Sequence, residues 1–317
     1  MSASSLLPLD QQVVVITGAS SGIGLCTARL AAAHGARVVL IARSGDVLYQ
    51  VSGDIDAAGG RSIAVPADVA SREQLDAAAQ AAIQAFGRID TWINSAGWSI
   101  YGRLDTVTED DSQRLFATNF WGVVNGSLVA LPYLEKRGGA LINVGSAASE
   151  APLPLQGMYA CSKLAVQSFT DTLRVEVEEI DRSPVRITLI QPSAVNTPHA
   201  EHAANYLGRR PMRPTAMLDP IDVADAVLRA ATEGGRDLRP GAGLAGAEWM
   251  PSPGDTMAAR PTAPQPGQRP AHASEGALYH PGKSGRTHGH ATAWSTAGGR
   301  APFSAGPAQP TASWPAG

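Results

Sequence analysis

From Val13 to about Ala231 the chain alternates short β-branched runs with longer Ala- and Leu-rich segments. Several short runs are almost wholly apolar, which is typical of parallel strands buried on both faces of a sheet. The longer segments suit the helices that must connect parallel strands. The sequence therefore predicts an α/β fold, a single domain with one doubly wound parallel sheet and helices on both faces. The predicted strands are residues 13–17, 37–42, 62–65, 91–94, 140–144 and 185–190, and the predicted helices are residues 23–34, 46–58, 71–86, 110–134, 159–180 and 221–232.

Two of these assignments rest on weaker patterns. Gly53 lowers the helix propensity of the segment 46–58. A last strand is poorly marked, and residues 236–239 are a short, polar candidate for it.

The composition changes near Pro240, after which the chain is rich in Pro, Gly, Ala, Ser and His and has almost no apolar periodicity. Such a segment buries too little apolar surface to offset the entropy lost on ordering. We therefore expect an N-terminal arm at residues 1–12, a folded domain at 13–253 and a mostly disordered tail at 254–317. The apolar tail residues leave room for local docking: Ala277, Leu278, Tyr279, Trp294, Phe303 and Trp314.

Charge and composition exclude several classes of partner. The formal net charge is −3 and the pI about 6.2, whereas nucleic-acid-binding domains are usually basic. Residues 1–12 lack the pattern of a signal peptide, and no apolar run is long enough to span a bilayer, so we expect a cytoplasmic protein. Cys26 and Cys161 are expected to be free thiols. The run His288-Gly289-His290 has no Cys or carboxylate cluster beside it, so no metal site is expected.

A glycine-rich turn joins the first predicted strand to the first predicted helix. It reads Thr17-Gly18-Ala19-Ser20-Ser21-Gly22-Ile23-Gly24, with the spacing G-x-x-x-G-x-G. Glycines let a backbone approach a pyrophosphate, and a helix N-terminus offers free N–H groups and the positive end of its dipole. In this context the turn predicts a dinucleotide-binding site, with an ordinary glycine-rich turn as the alternative.

The end of the second predicted strand bears on which dinucleotide would bind. NAD-specific sites carry an Asp or Glu there for the ribose 2′-hydroxyl, whereas this strand is followed by Arg43. A planar guanidinium suits a 2′-phosphate, so the sequence predicts NADP, with NAD as the alternative if Arg43 is a solvated loop cation. Asp68, after the third strand, is placed either for the adenine edge or for capping the next helix.

Tyr159 and Lys163 are four residues apart and share one face of a predicted helix. The ammonium favours the phenolate and should lower a tyrosine pKa that is ordinarily near ~10. A tyrosine tuned in this way can donate or accept a proton near neutral pH, so the pair predicts acid–base chemistry. The spacing alone also arises by chance in many helices.

In their order along the chain, these motifs resemble the short-chain dehydrogenases/reductases, in their single-domain subtype. The resemblance runs from about Val13 to Arg239, and the stretches 152–163 and 199–210 are similar to a bacterial branch whose members mostly have no assigned substrate. The further motifs are Asn94-Ser95-Ala96-Gly97, Asn119 within Thr118-Asn119-Phe120-Trp121-Gly122, Ser146, and Gln191-Pro192-Ser193-Ala194-Val195-Asn196-Thr197.

The resemblance implies a Rossmann-type fold and an oxidoreductase that transfers a hydride between NADP(H) and a carbonyl/alcohol substrate. Tyr159 would then be the general acid or base, and Lys163 would lower its pKa and bind the nicotinamide ribose. Ser146 would donate to the substrate oxygen, and Asn119 would hold a water that links Lys163 to solvent. A non-catalytic NADP(H)-binding regulator is the alternative from another class, although such proteins usually lose part of the catalytic set.

The implied site residues form two overlapping sets. The catalytic set is Ser146, Tyr159, Lys163 and Asn119, with no metal. The cofactor-binding set is Thr17, Gly18, Ser20, Ser21, Gly22, Ile23, Gly24, Arg43, Asp68, Val69, Asn94, Ala96, Gly97, Tyr159, Lys163, Pro192, Val195 and Thr197.

Three positions depart from the family pattern. Ser95 replaces the second Asn of the usual Asn-Asn-Ala-Gly, and Gly145 stands where a serine often precedes the catalytic one. Ser193 replaces the glycine of a Pro-Gly turn. If that turn requires a positive φ, serine there costs free energy or selects a different turn at the nicotinamide end of the site.

The substrate pocket should lie beyond the C-terminal ends of the strands, with walls at residues 98–104, 147–158 and 198–217. Their apolar side chains predict an apolar carbonyl or alcohol substrate: Trp98, Ile100, Tyr101, Leu153, Leu155 and Met158. The cationic residues of the third wall could bind an anionic group, but are expected to be solvated on a mobile lid helix: His199, His202, Arg209 and Arg210. By resemblance, the helices at 110–134 and 159–180 would form a homodimer or homotetramer interface.

Overall fold

The computed structural model describes residues 6–150, 152–208, 216–242, 276–282 and 284–289. The strands are β1 (Val13–Thr17), β2 (Arg37–Ala42), β3 (Arg61–Pro66), β4 (Thr91–Asn94), β5 (Ile100–Tyr101), β6 (Gly139–Val144), β7 (Val185–Ile190), β8 (Ala204–Asn205) and β9 (Asp237–Leu238). The helices are α1 (Gly22–Ala33), α2 (Gly45–Ala57), α3 (Arg72–Phe86), α4 (Glu109–Phe116), α5 (Gly122–Leu134), α6 (Gly157–Arg174), α7 (His199–His202) and α8 (Pro220–Glu233).

Within these residues, seven strands form one parallel sheet in the order β3-β2-β1-β4-β6-β7-β9. The separate pair of β5 and β8 is also parallel. The predicted doubly wound parallel sheet is confirmed, and each predicted strand lies within one residue of its observed bounds. The weakly marked last strand is present as β9, which pairs with β7 through Leu189 and Ile190.

The sheet separates two apolar layers, and β1 shows why its sequence is almost continuously apolar. Val14 and Ile16 pack into a cluster with apolar side chains of α1, α2 and α8. Val13 and Val15 pack on the opposite face, with α3, α5 and α6. Alternate residues of a strand point to opposite faces, so a strand covered on both sides needs apolar residues at every position.

The helix α2 forms in spite of Gly53 because its apolar residues recur at helical spacing. Leu48, Val51 and Ile55 are buried on one face of the helix. Gly53 lies on the exposed side, where a Cβ would meet no atom within 4 Å. Tertiary packing of the apolar face therefore outweighs the poor propensity of one glycine.

The long helix predicted at 110–134 contains a π-turn. Residues Ala117–Trp121 form this turn between α4 and α5, and a second π-turn, Val175–Ile180, extends α6. Single π-turns within helices are frequent at functional sites. The first one holds Asn119, which is fully buried.

The strand order reverses between β1 and β4, and this is the point at which open α/β sheets bind ligands. The loops that follow the two strands are joined by Thr17. Its Oγ1 accepts hydrogen bonds from the backbone N–H groups of Ser95 at 3.0 Å and Ala96 at 3.2 Å. Gly18, with φ +72°, comes so close that a Cβ would lie 2.9 Å from the Ala96 Cα, so this turn requires glycine.

Most of the residues 254–317 lie outside the described part of the chain, as do Trp294, Phe303 and Trp314. The apolar run Ala277-Leu278-Tyr279 is described, and it docks on the domain: Ala277 and Leu278 are buried. Cys26 and Cys161 are free, as predicted. Among the described helices, none is both long and apolar enough to cross a membrane.

One buried cation ties the last strands to α6, and its removal should destabilise the fold. Arg174 is 2% exposed, and its guanidinium donates to the carbonyls of Ile187 and Arg236. We expect Arg174→Met to lower the free energy of unfolding by about 2–3 kcal/mol, because buried carbonyls lose their donor. Urea denaturation would measure this. The matched control, Arg229→Met, removes a surface pair with Glu233 and should change stability by less than about 0.5 kcal/mol.

Candidate active site

A cavity of about 530 Å³ opens where β1 and β4 part, at the C-terminal edge of the sheet. It brings together nearly all of the residues that the sequence predicts for the site. Those that line it are Gly18, Ser20, Ser21, Gly22, Ile23, Gly24, Arg43, Asp68, Val69, Ala96, Gly97, Ser146, Tyr159, Lys163, Pro192, Val195 and Thr197.

The remaining three predicted residues, Thr17, Asn94 and Asn119, lie behind the cavity wall and are buried. Asn94 accepts a hydrogen bond from Trp92 Nε1 at 2.9 Å and donates to Asn143 Oδ1, also at 2.9 Å. Because the bond to Asn143 joins β4 to β6, the side chain of Asn94 supports the wall of the cavity instead of facing it.

Asn119 is held at both ends of its side-chain amide. Its Oδ1 accepts from the backbone N–H of Trp98 at 2.7 Å, and its Nδ2 donates to the Trp98 carbonyl at 2.9 Å and to Ser162 Oγ at 3.0 Å. These bonds fix the backbone of Trp98 against α6. The predicted role of Asn119 in holding a water stays a prediction.

Lys163 lies at the base of the cavity, and its Nζ donates to the carbonyl of Val144 at 2.9 Å. Burial lowers the pKa of Lys163 to about 8, because the charged form loses its hydration. Gly97 lies beside both groups: a Cβ there would be 3.5 Å from this Nζ and 3.4 Å from Asn119 Oδ1, which are ordinary contact distances. The ammonium is therefore charged at neutral pH and loses its proton in mild alkali.

Tyr159 is beside Lys163, whose Nζ lies 6.0 Å from the centre of the phenol ring. Burial raises the pKa of Tyr159, and a hydrogen bond from Ser146 opposes that rise. The direction is the reverse of the lowering expected from the Tyr159/Lys163 spacing, because burial outweighs the hydrogen bond. Tyr159 is therefore a protonated phenol at neutral pH, and Ser146 contacts the same oxygen.

Arg43 does not extend into solvent. Its Nη1 donates to the carbonyl of Leu278 at 3.1 Å, and its Nη2 donates to the carbonyls of Ala277 and, at 3.4 Å, His280. The guanidinium also lies 4.9 Å from the centre of the Trp98 ring. The alternative of a solvated loop cation is wrong, and the partners of Arg43 come from a part of the tail that sequence patterns could not place.

Asp68 is bound on both carboxylate oxygens. Its Oδ2 pairs with Arg114 at 2.6 Å, and its Oδ1 accepts from the backbone N–H of Ala70 at 3.0 Å. These bonds hold the pKa of Asp68 below its usual value despite burial. The capping alternative is wrong, because Ser71 caps α3 and accepts from the N–H of Gln74. Sequence reasoning missed Arg114, which lies on α4 and has no motif of its own.

The third wall of the cavity contains two histidines that are not solvated. The ring of His199 lies 5.6 Å from that of Tyr159, and that of His202 lies 6.2 Å from Trp98. Burial, followed by the charges of Lys163 and His202, lowers the pKa of His199 to about 4. The expectation of solvated lid histidines is therefore wrong. Arg209 and Arg210 lie outside the described residues.

His199 has a polar atom that the fold leaves unused. Its Nε2 is sealed from solvent and has no hydrogen-bond partner among the described residues. Buried polar atoms are normally paired, so an unpaired one at a cavity needs an explanation such as a ligand. Because its pKa is far below 7, His199 presents a neutral imidazole to the cavity.

The apolar walls are partly as predicted. Trp98, Tyr101, Leu153 and Leu155 line the cavity. Ile100 does not, because it is buried in a separate cluster against which Met158 packs. Leu155 has φ +66°, a region that a leucine adopts at a cost and that often marks functional segments.

The replacement at Ser193 causes no backbone strain. Among the described residues that are not glycine, positive φ occurs at Leu155 and Arg182 and not at Ser193. The turn is instead held by bonds from Ser193 N–H to the carbonyl of Pro240 at 3.1 Å and from Ala147 N–H to the carbonyl of Pro192 at 3.0 Å. The sequence departs from the family pattern here by using a different turn.

The chain is similar to known proteins in both sequence and structure. A family model described as short chain dehydrogenase matches residues 12–206. An uncharacterized oxidoreductase, YxnA, of Bacillus subtilis (strain 168) is 44% identical over 236 residues, which is 74% of this chain. The match spans 66% of that relative's length, slightly less than two thirds.

Two solved structures share the fold. A short-chain dehydrogenase/reductase from Burkholderia phymatum in complex with NAD has a TM-score of 0.69 at 27% identity and covers 77% of this chain and 93% of its own. An alcohol dehydrogenase from Thermococcus sibiricus complexed with 5-hydroxy-NADP has a TM-score of 0.63 at 27% identity and covers 72% of this chain and 94% of its own. With the family model and the relative, they show that the chain belongs to the short-chain dehydrogenase/reductase family of oxidoreductases.

Proposed function

We propose that this protein transfers a hydride between NADP(H) and a carbonyl/alcohol substrate, with Tyr159 as the general acid in reduction and the general base in oxidation. The observation that carries the proposal is a single cavity lined by Ser146, Tyr159 and Lys163, in which Ser146 is close enough to Tyr159 to lower the pKa of the phenol and the Lys163 ammonium forms the base. A non-catalytic regulator would not need this arrangement of proton donors.

The residues around the glycine-rich turn fit a nicotinamide dinucleotide. Ser21, the N-cap of α1, makes no side-chain capping bond within the described structure. The first N–H of the helix, that of Gly22, donates to the carbonyl of Arg286, an oxygen whose place a phosphate oxygen would take. Gly22 faces Thr197 so closely that a Cβ would lie 3.2 Å from the threonine Cβ. The turn would hold the pyrophosphate, and Thr197, with Lys163, would hold the nicotinamide end.

The chain's own groups would do the proton chemistry. When bound, the nicotinamide supplies or accepts the hydride. Ser146 would donate a hydrogen bond to the substrate oxygen, and Tyr159 would give that oxygen its proton as negative charge develops. The charge of Lys163 would stabilise the tyrosinate that remains.

Arg43 supports NADP over NAD, since a guanidinium binds phosphate in a bidentate manner. NAD stays the alternative, because the two similar structures carry NAD and an NADP derivative respectively. Asp68 would accept a hydrogen bond from the adenine.

The lining of the cavity supports an apolar substrate with one further polar group. Trp98, Leu153, Leu155 and Met217 supply apolar walls. His199 supplies one neutral polar atom near Tyr159. We therefore propose a ketone or secondary alcohol that carries a hydrogen-bonding group close to its reacting carbon.

Exposed apolar side chains support pairing of two copies of the chain. Trp121, before α5, is 54% exposed, and Leu164, on α6, is 53% exposed. Both lie on the helices through which the family forms dimers, so a homodimer or homotetramer is proposed.

Replacing Tyr159 by phenylalanine should reduce turnover about 10²–10⁴-fold, because the proton donor is lost. Binding of NADPH, followed by fluorescence titration, should stay nearly unchanged. Tyr49→Phe is the control, since Tyr49 is exposed and remote from the proposed chemistry. Unchanged turnover in Tyr159→Phe would refute the assignment, and tight NADPH binding without turnover of any carbonyl or alcohol by the natural chain would favour the regulator.

The pKa of Lys163 should be visible in the pH dependence of stability. The pKa of Lys163 is about 8 in the folded chain, whereas in the unfolded chain it has its ordinary value of 10.5. Between pH 8 and pH 10.5 the unfolded chain therefore holds one more proton than the folded chain. The stability of the natural chain should therefore rise with pH across this window relative to Lys163→Met, by on the order of 3 kcal/mol in total. Urea denaturation from pH 7 to 10.5 would measure it. The control is Lys136→Met, at an exposed position, which should leave the pH dependence of stability unchanged. Parallel stability curves for the natural chain and for Lys163→Met would contradict the lowered pKa of Lys163.

Replacing His199 by phenylalanine removes its polar atom and keeps an aromatic ring. For ketones with a hydroxyl or second carbonyl beside the reacting carbon, kcat/KM should fall about tenfold, the effect of one hydrogen bond. Plain aliphatic ketones should be little affected. His34→Phe, at an exposed position, is the control. Equal losses for both kinds of ketone would show that His199 only shapes the cavity.

A further inference from the structure

We propose that residues 276–282 and 284–289, the C-terminal strap, compete with the 2′-phosphate of NADP for Arg43 and thereby set the choice between NADP and NAD. The inference rests on the proposed function in one respect: Arg43 must face the adenosine end of a bound cofactor. It adds a determinant of cofactor choice from outside the glycine-rich turn and β2.

The strap presents to Arg43 what a phosphate would present, namely a cluster of oxygen atoms. Three carbonyls within four residues, those of Ala277, Leu278 and His280, accept hydrogen bonds from the two terminal nitrogens of Arg43. The carbonyl of Leu278 also accepts from Arg114 Nε at 3.2 Å. A 2′-phosphate bound at Arg43 would have to displace these carbonyls.

The first part of the strap is anchored by packing on the substrate side of the cavity. Leu278 is 1% exposed and lies in an apolar cluster with Ile100, Leu115 and Tyr206. Gly276, with φ +56°, lies against the end of α7. A Cβ there would be 2.2 Å from the carbonyl of His202, so any larger residue must move the strap.

The second part of the strap is anchored on Ser44 after β2, on the glycine-rich turn and on α7. Ser44 Oγ donates to the carbonyl of Gly282 at 2.8 Å, and the N–H of Gly22 donates to the carbonyl of Arg286 at 2.9 Å. The Arg286 side chain pairs with Glu201 of α7 at 2.8 Å. The strap thus crosses the cofactor end of the cavity between two fixed sides.

The cavity stays open beneath the strap. Pro281 and Gly282 border it, yet it retains about 530 Å³ and exposes Ser146, Tyr159 and Lys163. Either dinucleotide would have to displace the carbonyl of Arg286 from the N–H of Gly22 in the glycine-rich turn, but only NADP would also have to displace the carbonyls at Arg43.

The strap carbonyls and the 2′-phosphate bind Arg43 with comparable free energies. Hydrogen bonds from Arg to phosphate are roughly twice as strong as those to neutral carbonyls. The strap, in contrast, belongs to the same chain and acts at a high effective concentration. The apparent affinity for NADP is then the intrinsic affinity multiplied by the fraction of molecules in which the strap is released.

The test uses the full chain with Gly276→Ala, which should release the strap. The control is Gly208→Ala, because Gly208 has a similar φ of +66° and a Cβ there meets no atom within 4 Å. Fluorescence titrations would give Kd values for NADPH and NADH. We expect Gly276→Ala to bind NADPH more tightly, with a gain at least about tenfold larger than any gain for NADH, because only NADPH would use the freed Arg43. Trypsin cleavage after Arg286 should become faster in this variant, which verifies the release.

A second variant, Leu278→Asp, releases the same segment through its buried side chain and should reproduce the result. If release strengthens NADPH and NADH binding equally, the strap is a general obstruction and the inference is wrong. If release weakens NADPH binding, the strap helps to hold the cofactor and the inference is again wrong.

The double variant Arg43→Ala/Gly276→Ala distinguishes failure of the proposed role of Arg43 in cofactor binding from failure of the strap's role in cofactor choice. If the double variant loses the tighter NADPH binding of Gly276→Ala and its affinity for NADH does not change, the result supports the proposed roles of both Arg43 and the strap. Equal loss for the two cofactors refutes Arg43 as the phosphate-binding group and with it the strap's part in cofactor choice. The assignment of Tyr159 is untouched by that outcome, because its own substitution tests it.

Discussion

The site depends on the hydroxyl of Thr17. This hydroxyl joins the loop after β1 to the loop after β4, which diverge because the strand order reverses between these two strands. It accepts from two successive N–H groups after β4, at Ser95 and Ala96, and it also donates to the Ile93 carbonyl at 3.3 Å. This draws the glycine-rich turn against the loop after β4 so closely that Gly18 has no room for a side chain. One buried hydroxyl at the strand crossover thus holds together the two loops that border the cavity.

Burial sets the electrostatics of the site in a consistent way. It lowers the pKa of Lys163 and of His199 and raises that of Tyr159. At neutral pH Lys163 is therefore an ammonium, His199 a neutral imidazole and Tyr159 a protonated phenol. This is a site with a proton to give, and the nearby ammonium would stabilise the anion left behind.

The fold and most of the site could be predicted from the sequence because both depend on local patterns. Apolar runs such as 13–17 identify strands buried on both faces. The glycine spacing identifies the turn, and the Tyr159/Lys163 pair identifies the proposed proton donor. The pKa direction of Tyr159 could not be predicted, because it depends on how deeply the ring is buried. The partners of Arg43 could not either, since Ala277 and Leu278 lie more than two hundred residues away in a segment of low complexity. Asp68 and Arg114 likewise meet only in the folded chain, because 46 residues separate them in sequence.

The two free cysteines differ in a way that has practical use. Burial and the neighbouring acidic groups raise the pKa of Cys26 to about 12, so that its thiol stays protonated and unreactive toward alkylating agents. Cys161 is exposed and lies two residues after Tyr159 on α6. The natural chain thus carries one accessible thiol on the helix of its proposed proton donor. Because residues two apart on a helix point in different directions, a dye or spin label attached there would lie outside the cavity and report on the exposed face of α6 without any engineering of the protein.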